Sequence, residues 1–149
     1  MISNLKKVLT SKNIGGAYLY FYVHFATELV CFYMLSRLIG DSAFLWLSPL
    51  IYDALAFVPQ AIFGRISDKY PKIKFGIIGT VLMGIATLLS IKLPIKILPV
   101  VIVAIGNAMI HVNGAEVTLR CSNGKLSHSA IFVAGGSFGV VTGKLFRNV

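Results

Sequence analysis

Between two long apolar stretches the chain carries the short charged segment 64-GRISDKYPKIK-74. The segment holds four basic residues and a single acid, Asp68. The stretches on either side are long enough to cross the hydrocarbon core of a bilayer as helices. Basic residues concentrate in connections that face the cytoplasm. The segment therefore predicts a transmembrane helical hairpin whose connection lies on the cytoplasmic side.

The composition of the whole chain indicates an integral membrane protein. Of its 149 residues, 56% are hydrophobic and only 13% are charged, and the mean hydropathy is +0.82. A soluble domain usually carries about 25% charged residues. The net charge of +9 would indicate nucleic-acid binding in a soluble chain, but here the basic residues lie at the ends of apolar stretches. We therefore expect a lipid bilayer as the surroundings and no nucleic-acid partner.

Apolar runs predict five membrane-spanning helices in a single membrane domain, residues 1–149. The predicted spans are 16–38, 44–63, 75–91, 97–119 and 126–146. Most approach the ~20 residues that a helix needs to cross a ~30 Å hydrocarbon core. Lipid offers no hydrogen-bond partner to the backbone, and the alternating pattern of a closed barrel is absent, so the spans must be helical. The expected fold class is all-α.

Lysine and arginine residues are unequally distributed between the two ends of these spans. Nine lie before the first span and in the second and fourth connections, whereas five lie on the opposite side. Because cytoplasmic connections carry the excess of positive charge, we expect the N-terminus to be cytoplasmic. The sequence thus predicts a multi-pass protein of the plasma (cell) membrane.

The charged connection also carries a family motif. A glycine is followed by an acid, a base and a further base, at Gly64, Asp68, Lys69 and Lys72. This pattern resembles the signature between the second and third helices of the major facilitator superfamily. The fourth span, with 106-GNAMIHVNG-114, is similar to the fosmidomycin-resistance-like, drug-efflux branch of that superfamily. The segments 122-SNGK-125 and 131-IFVAGG-136 resemble the same branch.

The resemblance implies a fold of twelve helices in two halves of six, each half made of inverted three-helix repeats, with a substrate path between the halves. The five predicted spans correspond to most of the N-terminal half. We therefore expect a truncated N-terminal portion of a transporter, whose partner is the missing C-terminal half. A small-molecule substrate is the second expected partner.

Charged residues at the cytoplasmic end of the spans suggest a gate. Asp68 and neighbouring cations can form charge-assisted bonds that close this end in one state and break in the other. Glu116 and Arg120 are four residues apart and therefore share one helix face. We hypothesise that these two residues and Asp68 form the gate; alternatively, they are interfacial anchors that set the topology. The residues assigned to the gate motif are Gly64, Asp68, Lys69, Lys72, Glu116 and Arg120.

Ionisable and amide side chains also occur in the middle of the spans. A charge at the bilayer centre costs at least ~2.5 kcal/mol on insertion scales, so such groups should face a cavity or a partner. We assign six of them to the path of substrate or protons: His24, Glu28, Asp53, Gln60, Asn107 and His111. Glu28, Asp53 or a histidine could carry a proton coupled to substrate movement. Alternatively, these groups hydrogen-bond between helices as packing contacts.

The sequence contains no motif for catalysis, for a cofactor or for a metal. His24 and Glu28 have the i, i+4 spacing of neighbours on a helix, but they lack a recognisable zinc motif. The serines lack the Gly-x-Ser-x-Gly context of a nucleophile. We therefore expect a protein that is not an enzyme and that has no cofactor and no metal site.

Glycines in the last span predict close helix packing. Gly135, Gly139 and Gly143 repeat every four residues, which leaves one helix face flat enough for a neighbouring backbone to approach. Together these observations favour a secondary active transporter of small solutes that works by alternating access. One alternative is a complete small membrane protein that acts as a subunit or scaffold through its glycine-lined faces. A membrane-embedded enzyme is supported only by the buried acid and histidines.

Overall fold

The computed structural model describes residues 15–39, 47–92, 97–122 and 124–146. Within these ranges the chain forms five α-helices and no strand, so the predicted all-α fold class is confirmed. The helices are α1 (Gly15–Ile39), α2 (Leu47–Lys69), α3 (Phe75–Lys92), α4 (Ile97–Ser122) and α5 (Leu126–Leu145). Residues 44–46, the predicted start of the second span, lie outside the described ranges.

Four of the helices, α1, α3, α4 and α5, are long and apolar enough to cross a membrane. Helix α2 is less apolar, because Asp53, Gln60 and the charged residues of its last turns interrupt it. Large apolar side chains cover the outside of the bundle; Val58 and Leu126, for example, are 68% and 85% exposed. Such a surface is unfavourable in water, at roughly 25 cal/mol per Å² of apolar area, and favourable in lipid. The chain is a membrane protein.

Helix α2 ends later than the sequence predicted. The predicted span stopped at residue 63, but the helix continues to Lys69, and only residues 70–74 connect it to α3. The amide of Tyr70 still donates to the carbonyl oxygen of Ile66, at 2.8 Å. The prediction was wrong because it placed the end where apolarity stops, whereas charged residues remain helical at a membrane surface. The helix ends instead before Pro71, which disfavours helical geometry in the residue that precedes it.

Helix α4 also extends past its predicted end, from residue 119 to Ser122, before a tight turn leads into α5. Gly124 has φ = 79°, a left-handed conformation that favours glycine. The Ser122 hydroxyl accepts from the Gly124 amide at 3.2 Å, and the Ser122 carbonyl accepts from the Lys125 amide at 3.0 Å. Because the turn is short, α4 and α5 are antiparallel neighbours.

Helix α4 lies at the centre of the bundle and packs against α1, α2, α3 and α5. The most extensive contacts are those of α1 with α5 and of α3 with α4. Small residues on α4 permit these contacts, since Val103, Ala104 and Ala108 are almost fully buried. The core therefore surrounds α4, and side chains that point inward from α1 and α2 meet it near its middle.

The glycine face of α5 packs against α1. A Cβ atom added at Gly143 would lie 2.6 Å from the carbonyl oxygen of Leu29, and Cβ atoms at Gly135 and Gly139 would collide with the carbonyl oxygens of Phe21 and Phe25. The backbones of the two helices thus approach more closely than any side chain permits. This packing fixes the rotation of α1, and hence the direction in which its polar residues point.

The two ends of the bundle differ in charge. Contacts between Ser67 and Glu116 and between Gly16 and Cys121 place the start of α1, the end of α2 and the end of α4 at one end, which we call the basic end. Among the described residues, the basic end carries Arg65, Lys69, Lys72, Lys74, Arg120 and Lys125. The opposite end of the described structure carries Arg37, Lys92 and Lys144.

Candidate functional site

A set of polar side chains meets in the middle of the bundle, and we call it the polar cluster. Its members come from three helices and are His24 and Glu28 of α1, Tyr52 and Gln60 of α2, and Asn107 and His111 of α4. Residues four apart on a helix lie on the same face, so each of α1 and α4 presents its pair in one direction. All members except Gln60 are buried, and the side chain of Gln60 is partly buried.

The carboxylate of Glu28 lies at the centre of the polar cluster. Its Oε1 atom accepts from Nδ2 of Asn107 at 3.0 Å and is 2.9 Å from Nε2 of His111. On its own helix, Nε2 of His24 lies 3.7 Å away, beyond hydrogen-bond length. Two donors from α4 therefore hold an acid that is only 5% exposed, which offsets part of the cost of burying it.

The hydrogen bonds of His111 indicate which of its two ring nitrogens donates and which accepts. Nε2 of Gln60 donates to the carbonyl oxygen of Ala56 at 2.8 Å, which identifies this atom as the amide nitrogen, because a carbonyl oxygen can only accept. The same nitrogen is 3.2 Å from Nδ1 of His111, so Nδ1 must accept. In this arrangement Nδ1 of His111 accepts from Gln60, and Nε2 is the ring nitrogen that donates to Glu28.

The ring of His24 is held by a backbone carbonyl and by two aromatic neighbours. Nδ1 of His24 donates to the carbonyl oxygen of Phe132 at 2.8 Å. The ring stacks on the side chain of Phe132 at a centroid distance of 4.5 Å and meets the ring of His111 edge to face at 4.4 Å. A Cβ atom at residue 136 would collide with this ring, so Gly136 provides the space that His24 occupies. Its Nε2 atom lies 3.7 Å from Oε1 of Glu28.

Tyr52 belongs to the polar cluster although it was not among the residues predicted from the sequence. Its hydroxyl accepts from Nδ2 of Asn107 at 2.6 Å, and its side chain is 1% exposed. The signal was present in the spacing, since Tyr52, Ala56 and Gln60 repeat every four residues along one face of α2. A tyrosine in an apolar span does not stand out in the way that the adjacent acid does.

A cavity of ≈ 400 Å³ lies beside the polar cluster and is lined by residues of α1, α2, α4 and α5. Five of the six residues assigned to the path line it, namely His24, Glu28, Asp53, Gln60 and His111. The sixth, Asn107, lies behind Glu28 and Tyr52. Asp53 is half-buried and forms no hydrogen bond or ion pair with the part of the chain that the structure describes. The structure thus brings five of the six residues into one network and leaves Asp53 on the cavity wall.

The gate residues lie at the basic end, and only some of them are joined. Arg120 forms an ion pair with Glu116, with Nη2 2.8 Å from Oε1, and the Ser67 hydroxyl donates to Glu116 at 3.3 Å. This second contact links α2 to α4. Asp68 is exposed and makes no hydrogen bond or ion pair with any described residue. Gly64, Lys69 and Lys72 form no hydrogen bond or ion pair with Glu116 or Arg120 in the described structure, so the three-residue gate stays a prediction.

Two histidines and a carboxylate of the polar cluster form a group with the chemistry of metal ligands. Ligand atoms of His24, Glu28 and His111 all lie within 4.8 Å of one another. The sequence predicted no metal site, because its linear spacing matches no metal motif and His111 is 83 residues from Glu28. Only the packing of α1 against α4 brings the third group into reach.

Comparison with known protein families, with characterised proteins and with solved structures finds no match to this chain. The resemblance to the major facilitator superfamily therefore rests on the motifs of the sequence.

Proposed function

We propose that the chain forms the N-terminal part of a secondary active transporter of the major facilitator type, which moves small solutes by alternating access. The polar cluster carries this proposal. A carboxylate, two imidazoles and two amides converge beside one cavity, inside a bundle whose exterior is apolar. Ionisable groups within membrane spans are expensive to insert, and they typically mark the path of a substrate or an ion.

The cavity supports a small solute as the substrate. Its volume of ≈ 400 Å³ lies in the range of roughly 300–1,000 Å³ that is typical of small-molecule sites. Aromatic and aliphatic side chains, among them Phe32, Phe57 and Phe132, supply most of the lining. A few polar groups converging on an apolar cavity are the usual means of orienting a small ligand. Proton coupling through Glu28, Asp53 or a histidine stays a prediction from the sequence.

The motifs at the basic end support the major facilitator type. In this proposal the basic end faces the cytoplasm of a cell whose plasma membrane holds the protein, because six basic residues lie at this end of the described structure and three at the other. Asp68 then lies at the cytoplasmic end of α2, next to the short connection to α3. The C-terminal half of the transporter covers the cavity side of the bundle and completes the path.

The simplest test of this proposal is the nucleotide sequence downstream of the Val149 codon. An open reading frame that encodes further apolar spans is expected. A stop codon directly after Val149 contradicts the N-terminal placement and favours a subunit or scaffold instead.

The decisive test is transport by the full-length protein in liposomes with an imposed pH gradient. Labelled sugars, organic anions, peptides and aromatic drugs are offered in turn, and we expect one class to cross faster than in protein-free liposomes. The Glu28→Gln variant is expected to lose this flux. If no class moves faster than the protein-free background with either direction of the gradient, the transporter proposal is rejected.

The alternative of a scaffold that binds partners through its glycine face receives no support from the fold. Gly135, Gly139 and Gly143 are buried against α1 within the chain. A partner helix could reach this face only by displacing α1.

A further inference from the structure

We propose that His24, Glu28 and His111 form a binding site for a divalent transition-metal cation of the Zn²⁺ type. The proposal goes beyond solute transport and does not depend on it, since a cation can bind to this chain whether or not a solute crosses the membrane.

The distances between the three groups suit a metal centre. Zn²⁺ is bound at about 2.0–2.2 Å by histidine nitrogen and carboxylate oxygen, so tetrahedral ligands lie about 3.3 Å apart. Oε1 of Glu28 is 2.9 Å from Nε2 of His111 and 3.7 Å from Nε2 of His24, values that bracket this spacing. The ligand atoms of all three groups lie within 4.8 Å of one another, so a cation that draws them in brings them to this spacing by side-chain rotation.

His24 is held in the form that a metal ligand requires. Its Nδ1 proton is donated to the carbonyl oxygen of Phe132 at 2.8 Å, which leaves Nε2 as the atom that faces Glu28. Histidines that bind metals almost always donate their other nitrogen to a carbonyl or carboxylate in this way. Nε2 makes no hydrogen bond with the described residues, because the 3.7 Å separation from Glu28 is too long for one. This nitrogen is available to a cation.

His111 requires one rearrangement before it can bind. Its Nε2 proton must leave and Nδ1 must gain one, which changes the tautomer and leaves the ring neutral. Gln60, which donates to Nδ1 in the present structure, then turns its amide so that the carbonyl oxygen accepts from Nδ1. Gln60 is thus a positioning residue for this site and not itself a ligand. Asn107 retains its bond to Glu28 and orients the carboxylate.

The charge of the cluster favours a dication. The carboxylate of Glu28 bonds to Asn107 and His111, and no lysine or arginine of the described residues brings a full positive charge to it. A divalent cation supplies that charge in a place where an unpaired charge is costly. Two imidazoles and one carboxylate suit zinc, cobalt, nickel or copper, whereas Mg²⁺ and Ca²⁺ prefer sites made of oxygen atoms alone. All three groups line the cavity, from which a fourth ligand can reach the ion.

The test is a titration of the purified chain with Co²⁺, which reports its coordination through visible absorption. The protein carries a purification tag without histidine and is held in lipid nanodiscs. We expect one Co²⁺ per chain with the intense absorption of a four- or five-coordinate site, displaced by Zn²⁺ and not by Mg²⁺ or Ca²⁺. Single variants His24→Ala, Glu28→Gln and His111→Ala are each expected to weaken binding by more than about 100-fold, and Gln60→Leu by about 10–100-fold.

His128→Ala provides the matched control, because His128 is also a buried histidine but does not line the cavity. This variant is expected to bind Co²⁺ as the unmodified chain does. Circular dichroism and size-exclusion profiles of each variant show whether it is folded, and Glu28→Gln preserves the size of the side chain and its capacity to accept hydrogen bonds. The proposal is overturned if Co²⁺ gives no such absorption, or if the folded Glu28→Gln and His111→Ala variants bind it as tightly as His128→Ala does.

Discussion

At the scale of single residues, Glu28 is an acid whose burial costs more free energy than its hydrogen bonds return. Its partners on α4 are an imidazole and an amide, at 2.9 and 3.0 Å. Hydrogen bonds between membrane helices contribute only about 0.6 kcal/mol each on average. The two bonds of Glu28 together therefore contribute less than the ~2.5 kcal/mol that a charge at the bilayer centre costs on insertion scales. Structural stabilisation alone therefore does not account for an acid at this position.

This balance predicts that Glu28→Gln has little effect on stability. A glutamine oxygen still accepts from His111 and Asn107, and the unfavourable burial of a charge disappears, so the change in unfolding free energy is expected to stay within about 1 kcal/mol. Glu28→Leu removes the acceptor of Nε2 of His111 and of one of the two amide hydrogens of Asn107, and it should destabilise by about 1–3 kcal/mol; Nδ2 of Asn107 keeps its bond to Tyr52. Unfolding of the purified variants in mixed detergent micelles measures both values. Equal losses for the two variants contradict this account.

At the scale of helices, the contact between α1 and α5 determines how the site is assembled. Gly135, Gly139 and Gly143 allow the backbones to touch, and this contact fixes the rotation of α1 about its own axis. His24 and Glu28 point toward α4 as a result. The same contact brings the carbonyl oxygen of Phe132, on α5, to Nδ1 of His24.

Gly139→Ala is therefore expected to destabilise the bundle by about 1–3 kcal/mol, because the added methyl group must force two backbones apart. Gly84→Ala on α3 is the matched control. A Cβ atom at residue 84 meets nothing within 4 Å, and alanine is favoured over glycine inside a helix by up to about 1 kcal/mol. Thermal unfolding of both variants distinguishes them. If Gly139→Ala is as stable as Gly84→Ala, the close contact of α1 and α5 does not form.

The end of α2 carries a second prediction at this scale. Asp68 lies in the last turn of the helix, exposed and without an ion pair to the described residues. If the chain is part of a transporter, as proposed, a partner that closes the gate comes from another state or another part of that protein. Asp68→Asn is expected to abolish transport by the full-length protein while expression stays unchanged. Ser67→Ala, which removes only the hydroxyl that donates to Glu116, is expected to retain at least half of the flux. Normal transport by Asp68→Asn excludes this residue from the gate.

At the scale of the whole molecule, the asymmetry of charge predicts the orientation in the membrane. Cysteines can report it after Cys31 and Cys121 are replaced by alanine. In intact cells, a membrane-impermeant maleimide is expected to label Lys92→Cys, at the end opposite the basic end, and to label Lys72→Cys only after permeabilisation. The reverse pattern places the basic end outside and rules out the proposed orientation.

The sequence determined the helical character of the chain and most helix positions to within a few residues. Lipid leaves the backbone no partner but itself, so a long apolar run must be a helix. The end of α2 was missed by six residues, at Lys69 instead of residue 63, because the prediction followed apolarity, whereas the helix continues through charged residues until Pro71 disfavours it. Buried acids and histidines were also identifiable, since an ionisable residue stands out within an apolar span.

Only the tertiary structure decided which of these groups meet. Tyr52 joins the network and Asp53, the adjacent residue, does not, because neighbouring side chains on a helix point about 100° apart. His111 reaches Glu28 across 83 positions because both helices have particular rotations about their axes. Those rotations are set by interhelical packing, in which the glycines of α5 contact the backbone of α1 and Gly79 of α3 contacts Gly106 of α4. Such contacts depend on the shapes of two surfaces together, and no single segment of sequence contains that information.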